Sequence, residues 1–235
     1  MAKSPPLPVQ HLSKEEPGYS VLGSPTFQAA IPSVLHVSGN AALLTSTSVA
    51  LFCSVKCPGD LILKTYDLAR ALRDAGITVI GGFHSPMEKE CLTLLLRGDQ
   101  PVIVCLARGL ENLRLPATWK PALAAGRLLL VSPFDNGCRR VTEETAEKRN
   151  RCIVAIAESI IVTYAHAGGR LEQLCRDAVT AGKTFWTLDD AATTNLVQQG
   201  ARPISADALP RSWISLTTTN RHQSARHRSC WLGCE

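Results

Sequence analysis

Arg149-Asn150-Arg151-Cys152-Ile153-Val154-Ala155-Ile156-Ala157-Glu158-Ser159-Ile160-Ile161-Val162-Thr163-Tyr164-Ala165-His166-Ala167-Gly168-Gly169-Arg170 decides the fold. It reads as a basic cluster, a helix beginning near Arg151, a strand and a glycine turn. The Ile160-Ile161-Val162 run is apolar and β-branched throughout, as a parallel strand covered on both faces requires. After the turn, Leu171, Leu174, Cys175, Ala178 and Val179 recur at helical spacing, and Gly182 stops that helix. A further strand runs from Lys183 to Leu188. Strand, glycine turn and helix N-terminus make an anion cradle, because unpaired N–H groups and the helix dipole face the same point.

Working outward, the same alternation repeats. Val49 to Cys53 is a core strand that enters the loop Ser54-Val55-Lys56-Cys57-Pro58-Gly59-Asp60. A helix follows from Leu61 to Ala75, with Asp60 as N-cap and Gly76 just past its end. Ile77 to Ile80 is a strand ending at Gly81-Gly82. Glu88 to Arg97 is a helix, Pro101 to Leu106 a strand, 118–125 a helix and Leu128 to Val131 a strand. Residues 133–145 read as a polar, irregular connection. Ala191 to Gly200 is a short helix and Arg202 to Ile204 an edge strand. Upstream, Ile31 to Val37 is extended and Ser38-Gly39-Asn40 is a turn. Alternating strands and helices define an α/β class: a doubly wound, mostly parallel Rossmann-like sheet with helices on both faces. The domain spans 31–210. Residues 1–30, rich in Pro and Ser, read as a flexible or loosely docked lead-in. Residues 211–235 read as a basic, disordered tail.

Composition sets the class of partner. A net charge of +5 over 235 residues permits a nucleic acid without demanding one. The nine cysteines are an odd, scattered set, mostly within apolar runs, which reads as reduced thiols of a cytoplasmic protein. Cys53-x3-Cys57 and Cys230-x3-Cys234 lack completing ligands at zinc spacing, so no metal is expected. No apolar run reaches membrane-spanning length.

In such sheets, ligands bind outside the C-terminal ends of the strands. The loops there supply Ser54 and Lys56, then Gly82 and His84, then Gly168, Gly169 and Arg170, with Arg149, Asn150 and Arg151 joining from the next segment. Glycine allows close backbone approach, and the cations neutralise phosphate. Arg149 and Arg151 flank a helix start, where cations are disfavoured, which suggests an anion nearby. Ion pairs to Glu143, Glu144 or Glu147 are the competing explanation. Arg149, Arg151 and Arg170 are expected to converge on one pocket with Gly82, Gly168 and Gly169. No nucleophile elbow, Walker lysine or complete G-x-G-x-x-G is present, so no catalytic residue and no cofactor are assigned.

Several of these blocks resemble the DprA/Smf family of DNA-processing proteins, in family order across about 31–208. They are Pro32 to Asn40 with Leu43-Leu44, Val49 to Pro58, Leu68 to Phe83, Val102 to Leu110, Arg149-Asn150-Arg151 with Cys152 to Val162, Ala167 to Leu171, Gly182 to Trp186 and Asn195 to Gly200. Departures fall in the loops: Cys53, Val55 and Cys57 replace a glycine, an arginine and a serine of the family pattern. Glu88 stands for an aspartate, Leu92 for a histidine, and Gly169 or Arg170 for a serine. The resemblance implies a non-enzymatic, single-stranded DNA-binding homodimer that acts in transformation and hands DNA to a RecA-like recombinase. Gly168-Gly169 and Glu172 also echo the LOG-type nucleoside monophosphate phosphoribohydrolases, which gives a nucleotide sensor or hydrolase as the alternative. A third reading is a partner protein that keeps the fold and has lost the ligand, motivated by Val55 and Leu92.

Overall fold

A parallel β-sheet is stable when both faces are covered, and the buried apolar runs of this chain assemble in that way. The computed structural model describes residues 7–13, 19, 25–111 and 113–213. The described residues form a nine-stranded sheet of order β1-β2-β6-β5-β4-β3-β7-β8-β9. The strands are β1 (Gln10–Ser13), β2 (Val34–Gly39), β3 (Ser48–Cys53), β4 (Thr78–Gly81), β5 (Val102–Cys105), β6 (Leu128–Ser132), β7 (Ser159–Tyr164), β8 (Thr184–Leu188) and β9 (Arg202–Ile204). β1–β2 and β2–β6 pair antiparallel, and every other junction is parallel.

The helices are α1 (Gly59–Asp74), α2 (Pro86–Leu95), α3 (Lys120–Ala124), α4 (Glu143–Ile156), α5 (Arg170–Thr180) and α6 (Thr194–Gln198). Apolar residues of α1, α2 and α3 pack on one face of the sheet with Leu51, Val79, Val104 and Leu130. Those of α4 and α5 cover the other face with Phe52, Ile80, Ile103 and Val162. Alternate residues of each central strand thus supply the two cores, as the period of two requires. The doubly wound class is therefore observed.

Strand order reverses between β3 and β7. β3 leads through α1 to β4 on one side, and β7 leads through α5 to β8 on the other. The loops that follow them lie at this switch point, the place where open α/β sheets bind ligands. A register shift at Phe52/Cys53 bends the β3–β7 ladder at that end, and bulges of this kind re-aim residues beside sites.

Four local expectations are corrected. The segment 133–145 is not wholly irregular, because α4 begins at Glu143 behind a capping box between Thr142 and Thr145. Arg149 and Arg151 therefore sit in mid-helix, and the conflict with a helix start disappears. Asp60 is not an N-cap: α1 starts at Gly59, two residues earlier than expected, with Pro58 in the cap position and Asp60 in its first turn. Part of the 1–30 lead-in joins the fold. Gln10–Ser13 extends the sheet, and a 3-10 turn over Pro25–Ala30 precedes Ile31, with Phe27 and Ile31 buried. At the other end, Trp213 is buried. Its ring meets Trp186 edge-on at 5.4 Å, and its indole N–H donates to Ser159 Oγ at 3.3 Å. The rest of the expected tail, 214–235, lies outside the described residues.

Candidate nucleic-acid interface

The loop after β4 is set by two glycines and a strained neighbour. Phe83 adopts φ 46°, a left-handed conformation that is costly for an aromatic residue. Its ring folds back over Gly81, where a Cβ would come within 2.9 Å of it. Gly82 faces the other way, and its Cα lies against the guanidinium of Arg149, so a side chain there would occupy the space the guanidinium fills.

A buried carboxylate fixes this turn from below. Glu88, in the first turn of α2, accepts the N–H groups of Cys53 at 3.0 Å, His84 at 2.8 Å and Ser85 at 3.2 Å. Ser85 completes a capping box with it. Burial pushes the Glu88 carboxyl up, and the three N–H groups with the Arg149 charge pull it part of the way back. Glu88 thus joins the end of β3 to the loop after β4. The glutamate looked ordinary in the sequence, since first-turn acids are common.

Glu172 does the same for the loop after β7. It is buried, and it accepts the N–H of Gly168 at 2.8 Å, the Asn195 amide at 2.6 Å and Arg176 at 3.1 Å. Burial raises its carboxyl, and these partners together outweigh that and hold it below its ordinary value. Gly168 takes φ +74°, which favours glycine, and Gly169 fills the N-cap position of α5 without a side-chain cap. The loops on either side of the switch point also touch. Ser54 N–H donates to Tyr164 O at 2.9 Å, and His166 N–H to Ser54 Oγ at 3.3 Å.

The expected site residues separate into groups. Ser54, Gly168 and Gly169 lie in the two loops that flank the switch point, with exposed Lys56 and His166 beside them. Gly82 and Arg149 meet over the β4 loop, where His84 is exposed, and Arg149 is itself buried and donates from Nε to Asn150 at 3.0 Å. Arg170 is exposed and ion-paired to Glu143, equally exposed, at the start of α4. Arg151 is turned elsewhere, to Asp177 at 2.6 Å and Glu147 at 3.7 Å. The three guanidinium groups do not converge on one pocket. Residues two apart on a helix face different sides, and this separates Arg149 from Arg151. The competing ion-pair explanation holds for Arg151, through Glu147, while Arg149 donates to Asn150 instead and Glu143 pairs with Arg170. Lys183 is also structural: it donates to the carbonyls of Ala155 and Ala157 and so caps the C-terminus of α4. Among the described residues no group of three or more metal-ligating side chains forms, and Cys230 and Cys234 lie outside them.

A doubly wound, mostly parallel sheet with glycine loops at its switch point defines a Rossmann-like protein. Within that class, the family model of DNA recombination-mediator protein A matches residues 10–210, and the chain belongs to this family. Two solved structures share the fold. DNA processing protein A from Streptococcus pneumoniae is 18% identical, with a TM-score of 0.68 over 85% of this chain and 71% of that one. DNA processing protein A from Helicobacter pylori, solved in a study of its single-stranded DNA binding mode, is 17% identical, with a TM-score of 0.68 over 91% of this chain and 97% of that one. No curated protein sequence matches the chain. Among the described residues no helix is long and apolar enough to cross a membrane.

Proposed function

We propose that this protein binds single-stranded DNA across the strand-end loops at the switch point, without reading bases, as a step in DNA processing. The observation that carries the reading is the pair of helix N-termini beside the switch point. α1 and α5 have no side-chain cap, whereas α2 and α4 carry capping boxes. Unpaired N–H groups and two positive helix ends beside glycine loops suit backbone phosphates. Lys56 and Arg170 add charge at the rim. The exposed Arg170–Glu143 pair holds little net energy, so the guanidinium can exchange its carboxylate for a phosphate. Val55, 68% exposed, offers an apolar contact for a base. Family membership and the fold shared with the Helicobacter pylori protein support the choice of ligand. Delivery of the strand to a RecA-like recombinase, action as a homodimer and residence in the cytoplasm belong to the same reading.

The test is charge reversal at the rim. Lys56→Glu with Arg170→Glu should abolish oligothymidylate binding in fluorescence anisotropy while far-UV circular dichroism stays unchanged. Undiminished binding by the folded double variant would place the strand elsewhere. A nucleoside monophosphate that raises the melting temperature, with no oligonucleotide bound, would favour the nucleotide-sensor alternative.

A further inference from the structure

The loop after β7 is held from outside by one side-chain amide. Asn195, near the start of α6, is half-buried. Its Nδ2 donates to Ala165 O at 3.2 Å and to Glu172 Oε1 at 2.6 Å. Ala165 opens the glycine turn. Glu172 closes it, because its other oxygen accepts the Gly168 N–H at 2.8 Å. A single amide thus ties the entry of the turn to the carboxylate that fixes its exit and the start of α5.

Asn195 is presented from a fixed base. Asp190, just past β8, accepts the N–H of Ala192 at 2.9 Å, and the buried Thr193 donates its hydroxyl to Leu188 O at 2.7 Å. Lys64 of α1 reaches the same segment, donating to Asp190 Oδ2 at 2.7 Å and Asp189 O at 3.2 Å. The segment after β8 therefore contacts both α1 and the turn before α5, the two uncapped helices beside the switch point. The acceptors call for an amide. A neutral nitrogen with two N–H bonds satisfies a carboxylate and a carbonyl together, whereas an ionised aspartate of the same shape donates to neither.

We propose that Asn195 is a positioning residue for the single strand, holding the Gly168–Gly169 turn and the uncapped start of α5 in the pose that presents backbone N–H groups to a phosphate. The inference rests on the single-stranded DNA reading, and Asn195 itself touches no phosphate in it. Asn195→Ala takes this donor from the Ala165 carbonyl and one partner from Glu172. The turn, exposed at Gly168, then loses its preorganisation for the ligand. Asn195→Asp sets a second carboxylate where the amide stood, 2.6 Å from Glu172 Oε1. Two carboxylates that close share a proton at low pH and repel when both are ionised. The other ionisable groups at this point are Arg176 and the buried Cys175 thiol of α5, and His166 in the turn. All three are common to parent and variant, so the ratio of the two affinities isolates the new carboxylate.

The experiment titrates labelled oligothymidylate with the full-length parent, Asn195→Ala and Asn195→Asp, each checked for folding by far-UV circular dichroism. Asn195→Ala should bind about fivefold or more weakly at every salt concentration. Its salt slope should equal the parent's, because no cation has been removed. For Asn195→Asp, the affinity deficit against the parent should widen as pH rises from about 5 to about 9. That ratio also decides the matter if Asn195→Ala fails to fold. A folded Asn195→Ala with a lowered melting temperature and parental affinity would make the amide a structural brace only and overturn the proposal. A deficit in Asn195→Asp that does not move with pH would overturn the route through Glu172. A parent that binds no oligothymidylate would overturn the DNA reading itself, a result distinct from a parent and variant that bind equally.

Discussion

Arg149 lays its guanidinium against the Cα of Gly82 and so joins α4 to the loop after β4. A methyl group at position 82 would fall within the guanidinium, so the pair is mutually required. Gly82→Ala should displace Arg149 and cost about 1–3 kcal/mol in urea unfolding. The Arg149→Ala variant should cost a similar amount, because Arg149 is buried and neighbours Glu88. Combining them should cost clearly less than the sum, as expected for residues sharing one space. Additive costs would show that the contact is incidental.

Glu88 should be intolerant of its closest isostere. Glu88→Gln keeps the shape but replaces an acceptor oxygen by an NH2 group that faces backbone N–H donors. A loss of about 1–3 kcal/mol is expected from the groups left unpaired. Measured by urea midpoint with an unchanged slope, a variant as stable as the parent would mean that Glu88 does not hold the loops.

The two buried carboxylates should leave opposite pH signatures. Glu172 is held below its ordinary value in the folded chain, so its contribution is full above the usual carboxylate range and is lost as pH falls through the lowered value. Glu172→Gln should therefore flatten part of the acid limb of the stability curve. Glu88 is raised, so its contribution is full below the usual range and fades as pH rises through the raised value. Thermal melts of the parent and Glu172→Gln at matched pH values check this. Parallel acid limbs would contradict it.

Much of the fold was legible because the core strands are written as unbroken apolar runs. β7 was visible in Ile160-Ile161-Val162, and β5 in Val102-Ile103-Val104. The start of α4 was hidden for a definite reason. Its first turn carries Glu143, Glu144 and Thr145 and no large apolar residue, and its capping box ends in Thr145 where Glu or Gln is the usual signal. The pairing of β1 with β2 is antiparallel and joins distant segments, so local pattern did not predict it. The site was legible as loops but not as contacts. Glu88 and Glu172 resemble any first-turn acid until the loops fold onto them. Arg151 looked like a ligand until its distance along α4 brought it to Asp177.

Trp213 packs into the core beyond the last strand, β9. Trp213→Ala should cost about 3–5 kcal/mol, as for other buried aromatic truncations. Differential scanning fluorimetry measures the loss. A melting temperature unchanged from the parent would mean that residues 211–213 do not belong to the core.

The arginines should divide by role. Arg151→Ala should change stability by no more than about 1 kcal/mol, because its ion pairs are half-exposed, and should leave oligonucleotide affinity unchanged. Arg170→Ala and Lys56→Ala should each weaken affinity at all oligonucleotide sequences and lower the salt slope by about one phosphate contact. The reverse pattern would place the strand against the α4–α5 surface instead of the strand-end loops.

The most direct measurement is a titration of reduced protein into labelled oligothymidylate, followed by anisotropy, across salt from roughly 50 mM to 200 mM. The account predicts saturable binding whose logarithmic affinity falls linearly with the logarithm of salt, and which a mixed-sequence single strand reproduces. No anisotropy change at the lowest salt, or an affinity indifferent to salt, would contradict it.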